Sequence, residues 1–483
     1  MFAMKMFNTK KLWKAVSLGL CGVALTVMLA GCGADNSSSA DKGVLKVGVT
    51  NFADTLEPTQ NFFGWVVMRY GLGECLTKFD EKMNVQPWLA ESWSISDDHM
   101  TWTFKIREGV KFSNGNPLTA EAVKASIERA FAKNNRAATF FKYKEIKAEG
   151  QVLTIVTEKP MPNMPGFLAD PLFIIVDTSA EGSRDFAKEG PICTGPYMVE
   201  SFVKEKAVMK KNPNYWDGEV PYDKVEIIFM GDASAKANAL KAGDVDLVEN
   251  ITNVSDIQTL QADDSFTVDI ASGVRCGFAW MNFNGVLGNE TLRQAIQMAV
   301  DHDTICASNT IGGLYTAGYS VLPSTLAYGY ENLENPYPYD PDAANKLLDD
   351  AGIVDTDGDG IRELDGQNIN LRCVSYENRL LNDFSDAYAL YLAEIGIGVT
   401  ADYGSSDDQW SKLVAGQYDF NNNNWTTVGN GDPTEYMANW YSKAEANYCG
   451  YASDEYDALY EELLSEFDPE KRAELLQIGR AHV

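Results

Sequence analysis

The chain reads as α/β. Three observations lead there. Strands of period-two alternation and helices with capped apolar stripes interleave from end to end. No internal repeat recurs at a period of about 20–50 residues, which excludes solenoids and propellers. The chain of 483 residues is also too long for one hydrophobic core, so two or three domains are expected.

Taken in order, the first strand-like segment is Val44-Leu45-Lys46-Val47-Gly48-Val49-Thr50. Thr101-Trp102-Thr103-Phe104-Lys105-Ile106-Arg107 alternates apolar and polar residues, the pattern of a half-buried strand. Thr119 can cap a helix whose stripe is Val123, Ile127, Ala130 and Phe131. Residues 152–156 and 225–229 are further strands. Leu292, Ile296, Ala299 and Val300 make another helical stripe. Asp340 and Pro341 open a helix with Ala344, Leu347, Leu348 and Ala351 inward and Gly352 as its stop. Residues 390–395 end the next one, closed by Gly396 before the strand-like Ile397-Gly398-Val399-Thr400.

The N-terminus sets the compartment. Lys5, Lys10, Lys11 and Lys14 precede or open an apolar run over residues 15–30, somewhat short for a membrane span. Leu29-Ala30-Gly31-Cys32 follows and resembles the lipobox of bacterial lipoproteins. That resemblance implies removal of residues 1–31 as a signal peptide, lipidation of Cys32, and a protein held outside the cell membrane by its lipid. Residues 32–43 are small and polar, a flexible tether. Removing residues 1–31 leaves 36 basic against 69 acidic residues, a charge of −33. Nucleic acid is excluded as a partner, since phosphate binding needs a basic patch. The body cysteines, Cys75, Cys193, Cys276, Cys306, Cys373 and Cys449, lie scattered without metal-ribbon spacing. Disulfides and small buried apolar residues are both open for them. The last six residues, 478–483, read as a non-native scar after a helix over 470–477.

Six segments carry a family resemblance. They are residues 102–115 with 117–123, Cys193-Thr194-Gly195-Pro196-Tyr197, Asn212-Pro213-Asn214-Tyr215-Trp216-Asp217-Gly218, Leu240-Lys241-Ala242-Gly243-Asp244-Val245-Asp246, residues 292–301, and Gly431-Asp432-Pro433. Their content and order resemble the solute-binding proteins of peptide and nickel ABC importers, extracellular solute-binding family 5. The resemblance implies a two-lobed periplasmic-binding-protein-like fold of type II, in the large peptide-binding subclass. Lobe I would hold residues 44–280, with an inserted subdomain near 78–187, and lobe II residues 281–477. A C-terminal return to lobe I would be missing. It also implies a monomer that captures a small peptide or a metal chelate and delivers it to an ABC permease and its ATPase. Oligopeptide ranks first as cargo, a nickel chelate second, and an exported hydrolase is a distant third.

By the same resemblance the ligand-binding residues are Asn51, Arg136, Phe283, Asn284, Asn424, Trp425 and Asp432. The asparagine-rich loop over 421–433 corresponds to the second-lobe pocket segment. Many peptide-binding relatives place an aspartate there for the peptide's α-ammonium; this chain has Val428, Gly429 and Asn430. Asp432 is the nearest acid, with a turn role beside Pro433 as its alternative. Arg136 is placed to hold an anionic chelator, against the alternative of a solvated helix-end charge.

Catalysis finds little support. The histidines are His99, His302 and His482, and there is no H-E-x-x-H, P-loop or G-x-S-x-G. No cofactor is expected. Asp355-Thr356-Asp357-Gly358-Asp359-Gly360 has the acids of a calcium loop at positions 1, 3 and 5, but position 12 is Gly366. A structural turn is the first reading of this loop, and a calcium site at Asp355, Asp357 and Asp359 the second.

Overall fold

The computed structural model describes residues 3–6, 43–50, 52, 54–326, 334–376 and 379–481. They fall into two compact units, one built from residues 3–80 and 85–271, the other from residues 81–84 and Ser272–Val483. Cys32, the tether and the apolar run at 15–30 lie outside the described residues. Among the described residues no helix is long and apolar enough to cross a membrane.

The first unit is organised by a seven-stranded sheet. Across it run Val268–Ala271, Ala3–Met6, Leu247–Glu249, Val44–Val49, Lys224–Phe229, Lys206–Lys211 and Tyr197–Val203. Val44–Val49 pairs in parallel with both neighbours. Leu45, Val47 and Val49 are buried while Lys46 is exposed, as the alternation predicts. Ala3–Met6 pairs antiparallel with Leu247–Glu249 and Val268–Ala271. A chain processed before Cys32 lacks that strand.

Parallel strands need a long crossover, and the one after Val49 carries a second sheet of its own. This sheet is antiparallel, in the order Ala90–Ile95, Thr101–Ile106, Val152–Thr157, Tyr143–Glu149. The helix Ala120–Lys133 covers it. Thr119 caps that helix, accepting a hydrogen bond from the Ala122 N–H at 3.2 Å. Its buried Val123, Ile127 and Ala130 join Trp102, Phe104 and Ile106 in one core, separate from the core under the main sheet.

The second unit has a four-stranded sheet in the order Arg275–Met281, Phe420–Thr426, Asn370–Tyr376, Gly398–Gly404. The helices Glu290–Ala299 and Pro341–Asp350 bury the predicted Leu292, Ile296, Ala344 and Leu348. Asp340 caps the latter by accepting from the Ala343 N–H at 2.9 Å. Gly396, at φ +72°, makes the turn from the helix Leu381–Glu394 into Gly398–Gly404, a conformation that a side chain would strain. The helix Pro469–Ala481 runs on through residues 478–481. Of the six body cysteines, five are buried and Cys276 is half-buried, and all six are free thiols.

Candidate functional site

The asparagine-rich segment read as a loop is, over Phe420–Thr426, an inner strand of the second unit's sheet. It pairs antiparallel with Arg275–Met281 along its whole length and in parallel with Asn370–Tyr376. Asparagine is a poor strand former, because its amide competes for backbone groups. Here side-chain hydrogen bonds hold most of the amides, although Asn421 Nδ2 is buried without a partner. Asn422 Nδ2 donates to the Leu381 carbonyl at 2.8 Å and to Ser385 Oγ at 3.1 Å. Asn421 accepts from Gln409 on the other face. All four, Asn421 to Asn424, are buried.

Topology explains why a cavity opens at the end of this strand. From Asn370–Tyr376 the chain crosses through the helix Leu381–Glu394 to Gly398–Gly404 on one side. It then crosses back through the helix Ser406–Val414 to Phe420–Thr426 on the other. Right-handed crossovers running in opposite directions put the two helices on opposite faces. The carboxyl ends of Asn370–Tyr376 and Phe420–Thr426 are therefore left uncovered, the switch point at which α/β sheets bind ligands.

The cavity there has a volume of about 400 Å³. Its walls include Arg275, Tyr376, Trp410, Asn424 and Trp425, with Asp407 the sole acid among its lining residues. Asp407 is exposed in the first turn of the Ser406–Val414 helix, where helix-end amides favour a negative charge. The Trp410 and Trp425 rings stand 6.0 Å apart, and Trp410 is 41% exposed.

At the centre lies the side-chain oxygen of Asn424. One terminal nitrogen of Arg275 donates to it at 2.8 Å and to the Asn424 carbonyl at 3.2 Å. Arg379 donates to the same Oδ1 at 2.6 Å, and Asn424 Nδ2 donates to the Tyr376 hydroxyl at 2.5 Å. Two cations thus converge on one neutral acceptor. Burial, and then the neighbouring Arg379 charge, push the Arg275 pKa down to about 10; the groups that oppose this are Tyr376 and Tyr315, not a carboxylate. The Arg275 Nε is buried without a hydrogen-bond partner.

Of the residues singled out from sequence, Asn424 and Trp425 line this cavity. Asp432 does not. Its carboxylate receives Arg472 at 2.7 Å and the Thr434 N–H at 2.8 Å, so it holds the turn at Pro433. Phe283 and Asn284 follow Met281, which pairs with Phe420, so they sit at the opposite end of the sheet from Trp425. Phe283 packs there under Arg293, 4.3 Å from its ring centre, and Asn284 is exposed in a turn. Arg136, in the first unit, is bound to Asp170 at 3.1 Å and stacked on Phe62 and Phe140. Asn51 lies outside the described residues. Sequence reading missed Arg275 and Arg379. Arg275 is the partner of Thr426 across the strand pair, and that register is what brings it to the cavity.

The acidic loop brings together carboxylates of Asp355, Asp357 and Glu363, within 4.8 Å of one another, a set able to hold a cation. Asp359 is turned away to Asn368 Nδ2. The loop already satisfies itself. Asp355 accepts from the Gly358 and Gly360 amides, and Glu363 from Thr356. His302 is half-buried against Tyr388, and burial lowers its pKa.

Residues 84–448 match the family of bacterial extracellular solute-binding proteins, family 5 Middle. The nickel-binding protein NikA of Staphylococcus aureus is 25% identical over 329 residues, covering 68% of this chain and 63% of that protein. The oligopeptide-binding protein AppA of Bacillus subtilis is 27% identical over 357 residues, covering 70% of this chain and 64% of its own. The chain thus spans just under two thirds of the length of these relatives. Among solved structures, a nickel ABC transporter protein from Bacillus halodurans is 28% identical with a TM-score of 0.75, over 91% of each chain. The chain belongs to solute-binding family 5, and its mixed α/β architecture is the type II periplasmic-binding-protein fold.

Proposed function

We propose that this family 5 solute-binding protein is the capture lipoprotein of an ABC importer, anchored through Cys32, and that its cargo is a small metal chelate of the nickel type. The resemblance read from sequence put an oligopeptide first. One observation favours the chelate: the second-unit cavity offers no buried acid to a peptide's α-ammonium. Val428 is fully buried core, Asn430 donates its amide to Glu435, and Asp432 is taken by Arg472. A desolvated ammonium without a partner is strongly disfavoured. What the cavity does present is the Arg275 guanidinium among aromatic rings, with Asp407 exposed to solvent. Relatives and solved structures named for nickel support the same direction. No chemistry is performed on the cargo.

Isothermal titration distinguishes the readings. Nickel with L-histidine should bind with one saturable site, while di- to pentapeptides give no heat. Tight peptide binding with no response to the chelate would sink the proposal. Turnover of any bound compound would favour a hydrolase instead.

A further inference from the structure

The first unit buries a carboxyl group that no cation meets. Glu74 is 1% exposed. Its Oε2 has Thr194 Oγ1 at 2.6 Å and accepts from Trp216 Nε1 at 2.9 Å. Its Oε1 is buried without a hydrogen-bond partner. Among the described residues, neither oxygen receives a lysine or an arginine. A carboxylate so placed would leave negative charge on an oxygen with no donor, which is costly away from water. A neutral acid leaves less unsatisfied. Its proton can lie between Oε2 and the Thr194 hydroxyl, which is able to donate or accept, and only a carbonyl oxygen stays bare. Burial pushes the Glu74 pKa above its ordinary value and Asp217 adds to the rise, against the hydrogen bonds from Thr194 and Trp216 and the charge of Lys78. Tyr215, Cys75 and Cys193, also beside it, are kept uncharged by burial.

Glu74 sits at the neck between the first unit's two cores. On the way out, Cys75 belongs to the core under the main sheet and Leu76 to the core of the inserted antiparallel sheet. On the way back, Ile192 belongs to the inserted core and Cys193 to the main one. Thr194 follows that return, and the Gly195 N–H donates to the Leu72 carbonyl at 3.1 Å. Trp216 follows the main-sheet strand Lys206–Lys211. The guanidinium of Arg107, next to Thr101–Ile106 in the inserted sheet, stacks 4.6 Å from the Trp216 ring centre. We propose that protonated Glu74 is a lock at this neck: it ties the outgoing chain to Thr194 on the returning chain and to Trp216, and its ionisation loosens the inserted sheet from the main sheet. The lock belongs to the first unit alone and does not depend on which cargo is bound. A carboxyl group with a raised folded pKa contributes stability below the unfolded value of 4.5 and loses it as pH rises through the folded pKa.

The test compares melting of the wild type and of Glu74→Gln from about pH 4 to about pH 8. Glutamine keeps an acceptor for Trp216 and Thr194 and cannot ionise. The gap in melting temperature, variant minus wild type, should rise by at least about 2 °C between those ends. Other carboxylates, Glu57 among them, titrate alike in both proteins and cancel in the difference. Amide exchange should report the neck directly. The Gly195 and Ile175 N–H groups, bonded to the Leu72 and Glu74 carbonyls, should exchange faster in the wild type than in the variant at the alkaline end, and equally at the acid end. A melting gap that stays constant with pH, or one that shrinks as pH rises, would overturn the lock. A rising gap without any difference at these two amides would show a buried acid that does not hold the neck, and would overturn it as well. Should Glu74→Gln not fold, carboxyl resonances of isotope-labelled wild type decide. A glutamate that titrates above the ordinary 4.5 supports the proposal, and none doing so overturns it.

Discussion

Arg129 in the first unit is buried and Arg275 in the second half-buried, and they are treated in opposite ways. Arg129 donates to Glu57 and Glu181, each at 2.7 Å, and to Thr59 at 3.4 Å. Burial works against its charge, but the two carboxylates outweigh burial and its pKa lies above the usual value. Arg275 has burial and Arg379 against it and only amide and phenol groups nearby, and its pKa falls to about 10. The first arrangement is complete within the chain and holds the fold. The second has no carboxylate among the groups that set the Arg275 pKa. A buried cation is informative about function when its neighbours fail to neutralise it.

The largest way to break this comparison is Arg129→Met. It strands Glu57 and should lower stability by about 3–5 kcal/mol in urea unfolding. Cargo affinity should be unchanged at temperatures where the variant is folded. The same network sets an acid limit. The pKa of Glu57 is held below its ordinary value, where burial alone would raise it, because Arg129 and Thr59 bond its charged form; Glu181 is lowered likewise by Lys133 and Arg129. Groups with a depressed folded pKa contribute stability above the unfolded value of 4.5, lost as pH falls through the folded pKa. Melting temperature should therefore drop below about pH 4.5, more steeply in the wild type than in Arg129→Met.

Asn424→Asp sharpens the contrast by turning the second arrangement into the first. A carboxylate between Arg275 and Arg379 should stabilise the ligand-free protein by about 1–2 kcal/mol and weaken cargo binding at least about 10-fold. Calorimetry on the ligand-free variant and titration with nickel–histidine measure the two effects. A variant that gains no stability, or keeps its affinity, would mean that the cavity was already neutralised. The smallest expected effect is at Thr119, the cap of the helix that carries Arg129. Thr119→Ala removes a helix cap and should cost about 1 kcal/mol, visible as a small melting shift with no change in binding.

Much of the framework was legible because its signals are local. Thr119 and Asp340 cap helices where their side chains predict, and Trp102, Phe104 and Ile106 alternate inward as written. The Asn421 to Asn424 segment defeated the same reasoning. Its composition says loop, yet Ser385, Gln409, Tyr376 and the arginines bond the side chains of Asn421, Asn422 and Asn424 and hold them in a strand. Phe283 and Asn284 failed for a related reason. They neighbour the strand that carries Arg275, but antiparallel register sends them to the wrong end of the sheet.

By itself the sequence determined the α/β class, the family and the helix and strand signals, because caps, periodicity and turn chemistry act over a few residues. It also showed Val428, Gly429 and Asn430 after Trp425, where the resemblance read from sequence leads one to expect an aspartate in a peptide binder. Only the tertiary structure decided which groups gather beside Trp425. Arg275, Arg379 and Asn424 come from three separate strands or strand ends, and no local rule relates them. Their meeting depends on strand order, on the register that opposes Arg275 to Thr426, and on two crossovers that leave the carboxyl ends of the two inner strands open.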